Sequence, residues 1–240
     1  MKKKLAIIGA SYLQLPIVLK AKQMGVETHC FSWPEGAVCR EISDYFYPIS
    51  VLDKELILKK CEEIKIDGIT TIATDMAVPT ICYVAEKMNL ISNTYNSSII
   101  STNKSEMRKA FEKGNCSIPK FIEVTNCINN LEGFKFPLIV KPIDRSGSRG
   151  VTKVHYENDL SEAINYAIND SFSKKAIVEE YIEGREFNVA ILDDGEPKAL
   201  PVSEIDFSTM PPGYPHICSY EAKWYPEHVL YETTKPVCPA

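Results

Sequence analysis

The feature that most restricts the fold is an alternation of strand-like and helix-like segments in the N-terminal part of the chain. Three short segments share the apolar and β-branched composition of buried strands: 5 to 9 (LAIIG), 26 to 32 (VETHCFS) and 68 to 74 (GITTIAT). Helix-like segments follow them at 13 to 24, 54 to 65 and 78 to 88. Such an alternation predicts parallel strand pairing in a doubly wound α/β layer.

The carboxyl ends of these strands are the expected pocket edges, because open parallel sheets bind ligands there. This places Gly9-Ala10-Ser11 and Thr74-Asp75 at a candidate crevice. The segment lacks a full GxGxxG pattern, so a plain strand-to-helix turn is the more ordinary explanation of each stretch taken alone.

Composition excludes several classes of function. The chain has 240 residues, of which 45% are hydrophobic and 25% charged, as in globular proteins, and its net charge is −5. A nucleic-acid-binding protein needs a basic face, so no nucleic-acid partner is expected. The N-terminal apolar run is interrupted by Tyr12, Gln14 and Pro16 and is too short for a membrane span, so no membrane partner is expected either.

The eight cysteines are scattered through the sequence, at positions 30, 39, 61, 82, 116, 127, 218 and 238. They form no CxxC pair and lack the density of a disulfide framework. We therefore expect reduced thiols in a cytoplasmic protein, most of them acting as small apolar fillers.

The middle of the chain predicts a boundary between two domains. Residues 93 to 102 are polar without periodicity, which suggests a linker, and we place the domain boundary after residue 98. Asn103 is a good N-cap for the helix KSEMRKAFEK, Glu106 fits a capping box, and Gly114 is a natural stop. A strand at 136 to 141 and a helix at 159 to 169 come next, and further strands are expected at 176 to 182, 186 to 192 and 198 to 206, the last two joined by a turn at DDGE.

The stretch FPLIVKPIDRSGSRGV (136 to 151) is an apolar strand that delivers one lysine, Lys141, to a loop of small residues. A desolvated ammonium group needs an anion, which is either a carboxylate of the protein or a phosphate. The loop favours phosphate, because its serines and glycines let successive N–H groups converge on an anion. These residues are Ser146, Gly147, Ser148 and Gly150. A flexible hairpin remains an alternative for the loop taken alone.

The segment IVEEYIEGREFNVAIL (177 to 192) provides the groups that an adenine nucleotide needs. Its first half offers carboxylates and alternating main-chain groups for a base, and Glu186 lies where a carboxylate could bridge two ribose hydroxyls. A β-hairpin with glutamates on its solvated face explains each glutamate taken singly.

The order of these motifs resembles that of the ATP-grasp superfamily of carboxylate ligases, over about residues 100 to 240. The motifs are a helix-borne lysine, FPLIVKP, the glycine–serine loop and VEEYIEGREF. YEAKW (220 to 224) and CPA (238 to 240) resemble the D-alanine–D-alanine ligase branch. The N-terminal hundred residues resemble the leading domain of ligases related to carbamoyl-phosphate synthetase and biotin carboxylase. The resemblance implies a Rossmann-like pre-ATP-grasp domain at 1–98 and an incomplete α+β ATP-grasp domain at 99–240.

The same resemblance implies a role for each motif residue. Lys104 and Lys141 would hold the α- and β-phosphates of ATP, and the loop would cover the β- and γ-phosphates. Lys223 would reach the γ-phosphate as the catalytic residue. The nucleoside would be held by Glu179 at the adenine amine, by backbone groups of Glu180 and Ile182 at the base, and by Glu186 at the ribose. Arg145 and Arg149 lie close enough in sequence to add positive charge near the phosphates, although surface solvation is their more ordinary role.

The implied activity is the phosphorylation of a small carboxylate to an acyl phosphate, which an amine or another nucleophile then attacks. The Mg²⁺ ligands of the family would lie beyond residue 240, and Glu186-Phe187-Asn188 is not taken as a metal site. The chain is therefore expected to be a fragment of a ligase or a truncated relative. Two hypotheses stay open: an ATP-dependent carboxylate–amine ligase and a non-catalytic nucleotide-binding module. A homodimer is also an open expectation, and the four histidines are expected not to cluster.

Overall fold

The apolar segments of the N-terminal part form a parallel sheet in the computed structural model, which describes residues 2–126, 131–193 and 195–240. The strands of this first unit are β1 (Lys4–Ile8), β2 (Glu27–Phe31), β3 (Tyr45–Tyr47) and β4 (Gly68–Thr70). Its helices are α1 (Leu15–Gln23), α2 (Lys54–Ile64), α3 (Val78–Lys87), α4 (Tyr95–Thr102) and α5 (Lys104–Lys113). The strand order is β3-β2-β1-β4 with parallel pairing throughout, so the predicted doubly wound layer is confirmed.

Alternation along the strands sends their side chains into two separate cores. Ile7 and Cys30 pack with Val18 of α1 on one face, and Ile8 and Phe31 pack with α2 and α3 on the other. The predicted caps are present as well: the Asp53 side chain accepts a hydrogen bond from the Leu56 N–H, and that of Asn103 accepts from the first turn of α5. Cys30, Cys39, Cys61 and Cys82 are buried free thiols, as expected for apolar fillers.

The prediction of a linker at 93 to 102 is wrong, because this segment contains helix α4. Thr94 caps it by accepting a hydrogen bond from the Ser97 N–H at 3.1 Å. Hydroxyl groups within the helix bond back to carbonyl oxygens, as Ser98 does to Tyr95 at 2.6 Å. These local bonds satisfy the polar side chains that make the sequence look like a linker.

The second unit contains an antiparallel sheet of strands β5 (Phe121–Val124), β6 (Leu138–Pro142), β7 (Thr152–Val154) and β8 (Ala176–Glu180), in the order β5-β8-β6-β7. Helix α6 (Glu157–Asp170) covers one face. Leu138, Val140 and Val178 point to that helix and pack on Leu160 and Ile164. The residues between them in sequence therefore point to the opposite face.

The remaining elements of the second unit are short: β9 (Glu186–Asn188), β10 (Ile191–Asp193), β11 (Pro197–Ala199), β12 (Ser203–Asp206), α7 (Tyr220–Trp224), α8 (Val229–Thr233) and β13 (Lys235–Val237). The hairpin predicted across DDGE is present as β10 and β11. Each of the two long strands expected here is divided into two short ones: 186 to 192 into β9 and β10, and 198 to 206 into β11 and β12. Strands β9 and β12 pair with each other in a separate sheet that also contains β13. This is the α+β architecture expected after the parallel sheet.

The two compact units are Met1–Cys116 and Ser117–Ala240, so α5 belongs to the first. The domain boundary after residue 98 stays a prediction. Within the described residues, no helix is long and apolar enough to cross a bilayer.

Candidate functional site

Strands β6 and β8 place two motif residues side by side on the face of the sheet opposite α6. Pairing of Lys141 with Ile177 and of Ile139 with Glu179 makes Lys141 and Glu179 diagonal neighbours. The Lys141 ammonium and the Glu179 carboxylate form an ion pair at 2.5 Å, and their side chains are 17% and 4% exposed. Of the two anions that the sequence allows for Lys141, the structure therefore shows the carboxylate.

The glycine–serine loop needs its glycines for two different contacts. Gly147 and Gly150 both have left-handed backbone conformations, with φ of +66° and +71°. A Cβ at Gly150 would lie 2.7 Å from Cγ of Pro142, and one at Gly147 would lie 3.1 Å from Nε1 of Trp224. Ser148 also has a positive φ of 61°. The loop is a tightly turned segment packed against its surroundings.

The base of the loop is fixed to the end of α6. The Asp144 carboxylate accepts hydrogen bonds from the N–H groups of Phe172 and Ser173 at 3.1 and 2.7 Å. Burial acts to raise the Asp144 pKa, but the hydrogen bonds of residues 171 to 173 outweigh it and lower the pKa overall. The carboxylate is thus an anchor of the loop.

The two loop arginines are directed to Asp170. Arg149 Nε donates to the Asp170 carboxylate at 2.7 Å, and Arg145 Nε donates to the Asp170 carbonyl at 2.6 Å. Arg145 also covers the ring of Phe172 at 3.9 Å. Both guanidinium groups therefore anchor the loop, and a role beside phosphates stays a prediction.

The other side of the loop contacts helix α7 and the residue before its N-cap. The Ser148 hydroxyl donates to the Cys218 carbonyl at 2.6 Å, and the Trp224 indole N–H donates to the Gly147 carbonyl at 3.0 Å. We call these two hydrogen bonds the loop latch. Since Ser219 caps α7 and Lys223 lies on it, the latch holds the glycine loop next to the helix that carries Lys223.

Cys218 lies just before helix α7, and its carbonyl is bonded to the glycine loop. Burial raises the pKa of its thiol, the Lys223 ammonium acts to lower it, and the Glu186 carboxylate acts to raise it. Both charges are therefore close enough to act on one side chain, whose carbonyl also holds Ser148. The latch thus brings the glycine loop beside the helix of Lys223, although the two are widely separated in sequence.

The end of β8 carries the backbone groups that the family resemblance assigns to a base, and this role stays a prediction. The Glu180 N–H donates to the Lys120 carbonyl at 3.0 Å, so its carbonyl oxygen is the group it can offer to a base. The last hydrogen bond of the strand ladder runs from the Tyr181 N–H to the Pro137 carbonyl. Ile182 follows it, and its side chain is 66% exposed. Glu186 begins β9 and is exposed.

Two groups of predicted residues belong to the first unit. Lys104 begins α5, and its phosphate role stays a prediction. The crevice at the strand ends is closed by Gln14, which accepts from the Ser11 N–H and hydroxyl and donates to the Ile72 carbonyl at 2.7 Å. Gly9 has φ +101° and contacts the same side chain. This edge has a structural hydrogen-bond network, and its contact with an acid substrate stays a prediction.

The sequence interpretation missed a cavity of about 870 Å³ in the second unit. Three of the four histidines, His155, His216 and His228, line it, although they form no metal-binding group within the described residues. They come from separate segments that the fold brings together, and no spacing in the sequence signals this.

Nothing in the described residues fits a magnesium centre. Among residues 2–126, 131–193 and 195–240, no three histidine, cysteine, aspartate or glutamate side chains group as metal ligands. Asn188 lies in β9 and pairs with Ser203, which agrees with its structural interpretation. We derive no chemical step from Mg²⁺, and ligands beyond residue 240 stay a prediction.

Comparison with known proteins agrees with this geometry. A family profile described as "D-ala D-ala ligase C-terminus" matches residues 116–239. A formate-dependent phosphoribosylglycinamide formyltransferase of Prochlorococcus marinus is 27% identical over 75% of this chain and 48% of its own. A D-alanine–D-alanine ligase of Acetivibrio thermocellus is 42% identical over 31% of this chain and 19% of its own.

Solved structures share the fold at lower identity. The L-amino acid ligase from Bacillus licheniformis superposes with a TM-score of 0.67 and 22% identity, over 85% of this chain and 50% of that one. The ADP complex of an N5-carboxyaminoimidazole ribonucleotide synthetase superposes with a TM-score of 0.69 and 21% identity, and the match covers 85% of this chain and 54% of that one. The chain spans about half the length of the formyltransferase relative. On the profile match and the shared architecture, the chain belongs to the D-alanine–D-alanine ligase C-terminal family of the ATP-grasp superfamily.

Proposed function

We propose that the second unit binds ATP and belongs to a ligase that activates a small carboxylate as an acyl phosphate for attack by an amine or other nucleophile. The observation that carries this proposal is the loop latch, which holds the glycine loop against the helix that carries Lys223. Family membership supports the same conclusion, since the matched relatives include an enzyme named D-alanine–D-alanine ligase.

The buried ion pair supports a role in holding the nucleoside. Glu179 is a nearly buried acceptor that an adenine amine could reach, and its partner Lys141 is already desolvated and positively charged. An ammonium group in such a site interacts strongly with a phosphate, because little water competes for it. On binding, Glu179 would contact the base and Lys141 the phosphates, and neither of these two side chains would need much further desolvation.

The chain's own residues would mainly position the reactants and neutralise charge, which is the main work of the protein in phosphoryl transfer. Lys223 would stabilise the charge that develops on the γ-phosphoryl group while the carboxylate oxygen attacks phosphorus. The loop, held by its latch, would keep water from the acyl phosphate until the amine displaces phosphate at the acyl carbon.

The test is calorimetric titration of the 240-residue protein with ATP. Lys223→Met and Glu186→Gln should each weaken binding by about tenfold or more, because each removes a charge-assisted contact. Lys20→Met, at an exposed position in the last turn of α1, is the matched control and should bind like the wild type. A folded protein that does not bind ATP, ADP or a non-hydrolysable analogue would refute the proposal.

Turnover is tested separately by ADP release with panels of acids and amines. ADP release that needs both an acid and an amine supports the ligase. Binding without ADP release under any condition would favour the nucleotide-binding module. A cytoplasmic location remains part of the proposal and is supported by the free thiols. A homodimer is also part of it, and light scattering tests the oligomeric state.

A further inference from the structure

The last residue of helix α6, Asp170, holds both ends of the glycine loop. At the start of the loop, Arg145 Nε donates to the Asp170 carbonyl at 2.6 Å, and the same guanidinium lies 3.5 Å from the Asp170 carboxylate. At the end of the loop, Arg149 Nε donates to that carboxylate at 2.7 Å. One nearly buried carboxylate, 11% exposed, therefore ties together two arginines on either side of the loop tip.

Helix α6 by itself gains nothing from a carboxylate at Asp170. The C-terminal end of a helix carries partial negative charge on its free carbonyl groups, so an anion there is unfavourable for the helix. The last turn, Ala167 to Asp170, contains no lysine or arginine that would compensate. The two guanidinium groups of the loop supply this compensating charge. The carboxylate at this position is therefore explained by the loop and not by the stability of α6.

The second carboxylate oxygen of Asp170, Oδ2, lies directly beneath the loop backbone. It is buried and has no hydrogen-bond partner among the described residues. A Cβ at Gly150 would lie 3.3 Å from it, so the loop backbone closes over this oxygen. A buried oxygen without a hydrogen bond is costly, and nearby positive charge reduces that cost. The loop is thus packed onto a carboxylate whose charge the two arginines stabilise.

The contact with Arg149 also restrains the shape of the loop tip. The Arg149 N–H donates to the Ser146 carbonyl at 3.4 Å, which closes a turn over residues 146–149. Gly147 and Ser148 at its centre both have positive φ, a conformation that costs free energy for a serine. Such a turn persists only where its surroundings hold it. Asp170 provides one restraint, at the residue where the turn closes.

We propose that Asp170 is a positioning residue for nucleotide binding, which acts through Arg145 and Arg149 on the turn at 146–149. The inference rests on the proposed ATP site, in which this turn covers the β- and γ-phosphates. A turn that is held in one shape before binding avoids the cost of ordering it on binding. The nucleoside is assigned to residues 179–186 instead, so the effect of Asp170 depends on the phosphates that the ligand carries.

The experiment is calorimetric titration of the 240-residue protein with ATP, combined with displacement of bound ATP by AMP. AMP keeps the nucleoside and the α-phosphate but lacks the two phosphates that the loop covers in the proposed site. Asp170→Asn should weaken ATP binding about tenfold, because it removes charge-assisted contacts of the loop, and should change AMP binding by less than about twofold. Asp170→Glu keeps the charge and should bind ATP more tightly than Asp170→Asn.

Matched variants locate the effect. Arg149→Gln removes the same contact from the loop side, at a side chain that is 55% exposed. It should also weaken ATP binding, and in the double variant with Asp170→Asn the two losses should not add. Asp159→Asn, at an exposed position in the first turn of α6, is the control and should bind ATP like the wild type.

The results for the wild type and the variants separate this inference from the proposed function. If the wild type binds ATP and both Asp170→Asn and Arg149→Gln bind it equally well, the inference is overturned and the proposed function stands. Equal losses for ATP and AMP would indicate a general loss of structure and would also overturn it. A wild type that does not bind ATP would refute the proposed function and this inference with it. If far-ultraviolet circular dichroism shows that Asp170→Asn does not fold, the ATP and AMP affinities of Arg149→Gln decide.

Discussion

Replacing Lys141 by methionine tests the buried ion pair to which the proposed nucleotide site assigns a role. The change removes the Lys141 ammonium from the Glu179 carboxylate, which is 4% exposed. Removing one partner of a buried pair costs about 3–5 kcal/mol. Because the Lys141 side chain keeps 17% exposure, we expect the lower end of this range, about 3 kcal/mol.

The companion variants separate the pair from the packing of its side chains. Glu179→Gln should be destabilising by a similar amount, whereas the double variant should lose less than the sum, with a coupling of about 2 kcal/mol. Lys141→Arg is the charge-keeping control and should lose less than Lys141→Met. At about 2–4 °C per kcal/mol, the Lys141→Met variant should melt roughly 10 °C lower.

The assay is urea unfolding followed by tryptophan fluorescence. The chain has two tryptophans, so a Trp33→Phe background leaves Trp224 to report on the second unit. ATP at about a hundred times its dissociation constant should add about 2.7 kcal/mol to the free energy of unfolding of the background protein and little to that of Lys141→Met. Unchanged stability in Lys141→Met, or a coupling near zero, would refute the reasoning.

Three further outcomes follow from the loop and the first sheet. Trp224→Phe removes the indole donor to Gly147 and should destabilise the closed loop by about 1 kcal/mol, measured as faster proteolysis within the loop; an unchanged cleavage rate would contradict the latch. Gly150→Ala should cost about 1–3 kcal/mol of unfolding free energy, because of its φ of +71° and the Pro142 ring 2.7 Å from the new Cβ; full stability in urea would argue against this packing. Although burial opposes it, hydrogen bonding holds the pKa of Asp44 at about 2, below its ordinary 3.8, so its stabilising effect is present above pH 4 and lost as the pH falls towards 2. Asp44→Asn should remove roughly 1 kcal/mol at pH 7, after allowance for solvent screening of this part-exposed group, and should flatten the acid limb of the stability profile; an unaltered limb would contradict the assignment.

The linker prediction shows where local sequence reasoning fails. Residues 95–102 form a helix because Thr94 caps it and because its hydroxyl groups find carbonyl partners within one turn. Packing also contributes, since Tyr95 meets the edge of the Tyr83 ring and receives a hydrogen bond from Lys54. Neither partner is close in sequence, so the polar composition alone gave no sign of the helix.

The contacts of the two loop arginines could not be predicted for a related reason. Their position beside the glycines suggests phosphates, but Arg149 and Arg145 meet Asp170 at the end of α6 instead. Which anion an arginine meets depends on the elements that the fold places around it, and this is a long-range property.

By itself, the sequence determined the alternating layer, the caps of α2 and α5, and the lysine at the end of β6, because these depend on hydrophobic period and on bonds within a few residues. Only the tertiary structure decided that Lys141 pairs with Glu179, that Trp224 holds Gly147, and that three distant histidines line one cavity. These contacts join segments tens of residues apart. Strand register and helix packing set their geometry, and no local pattern in the sequence carries it.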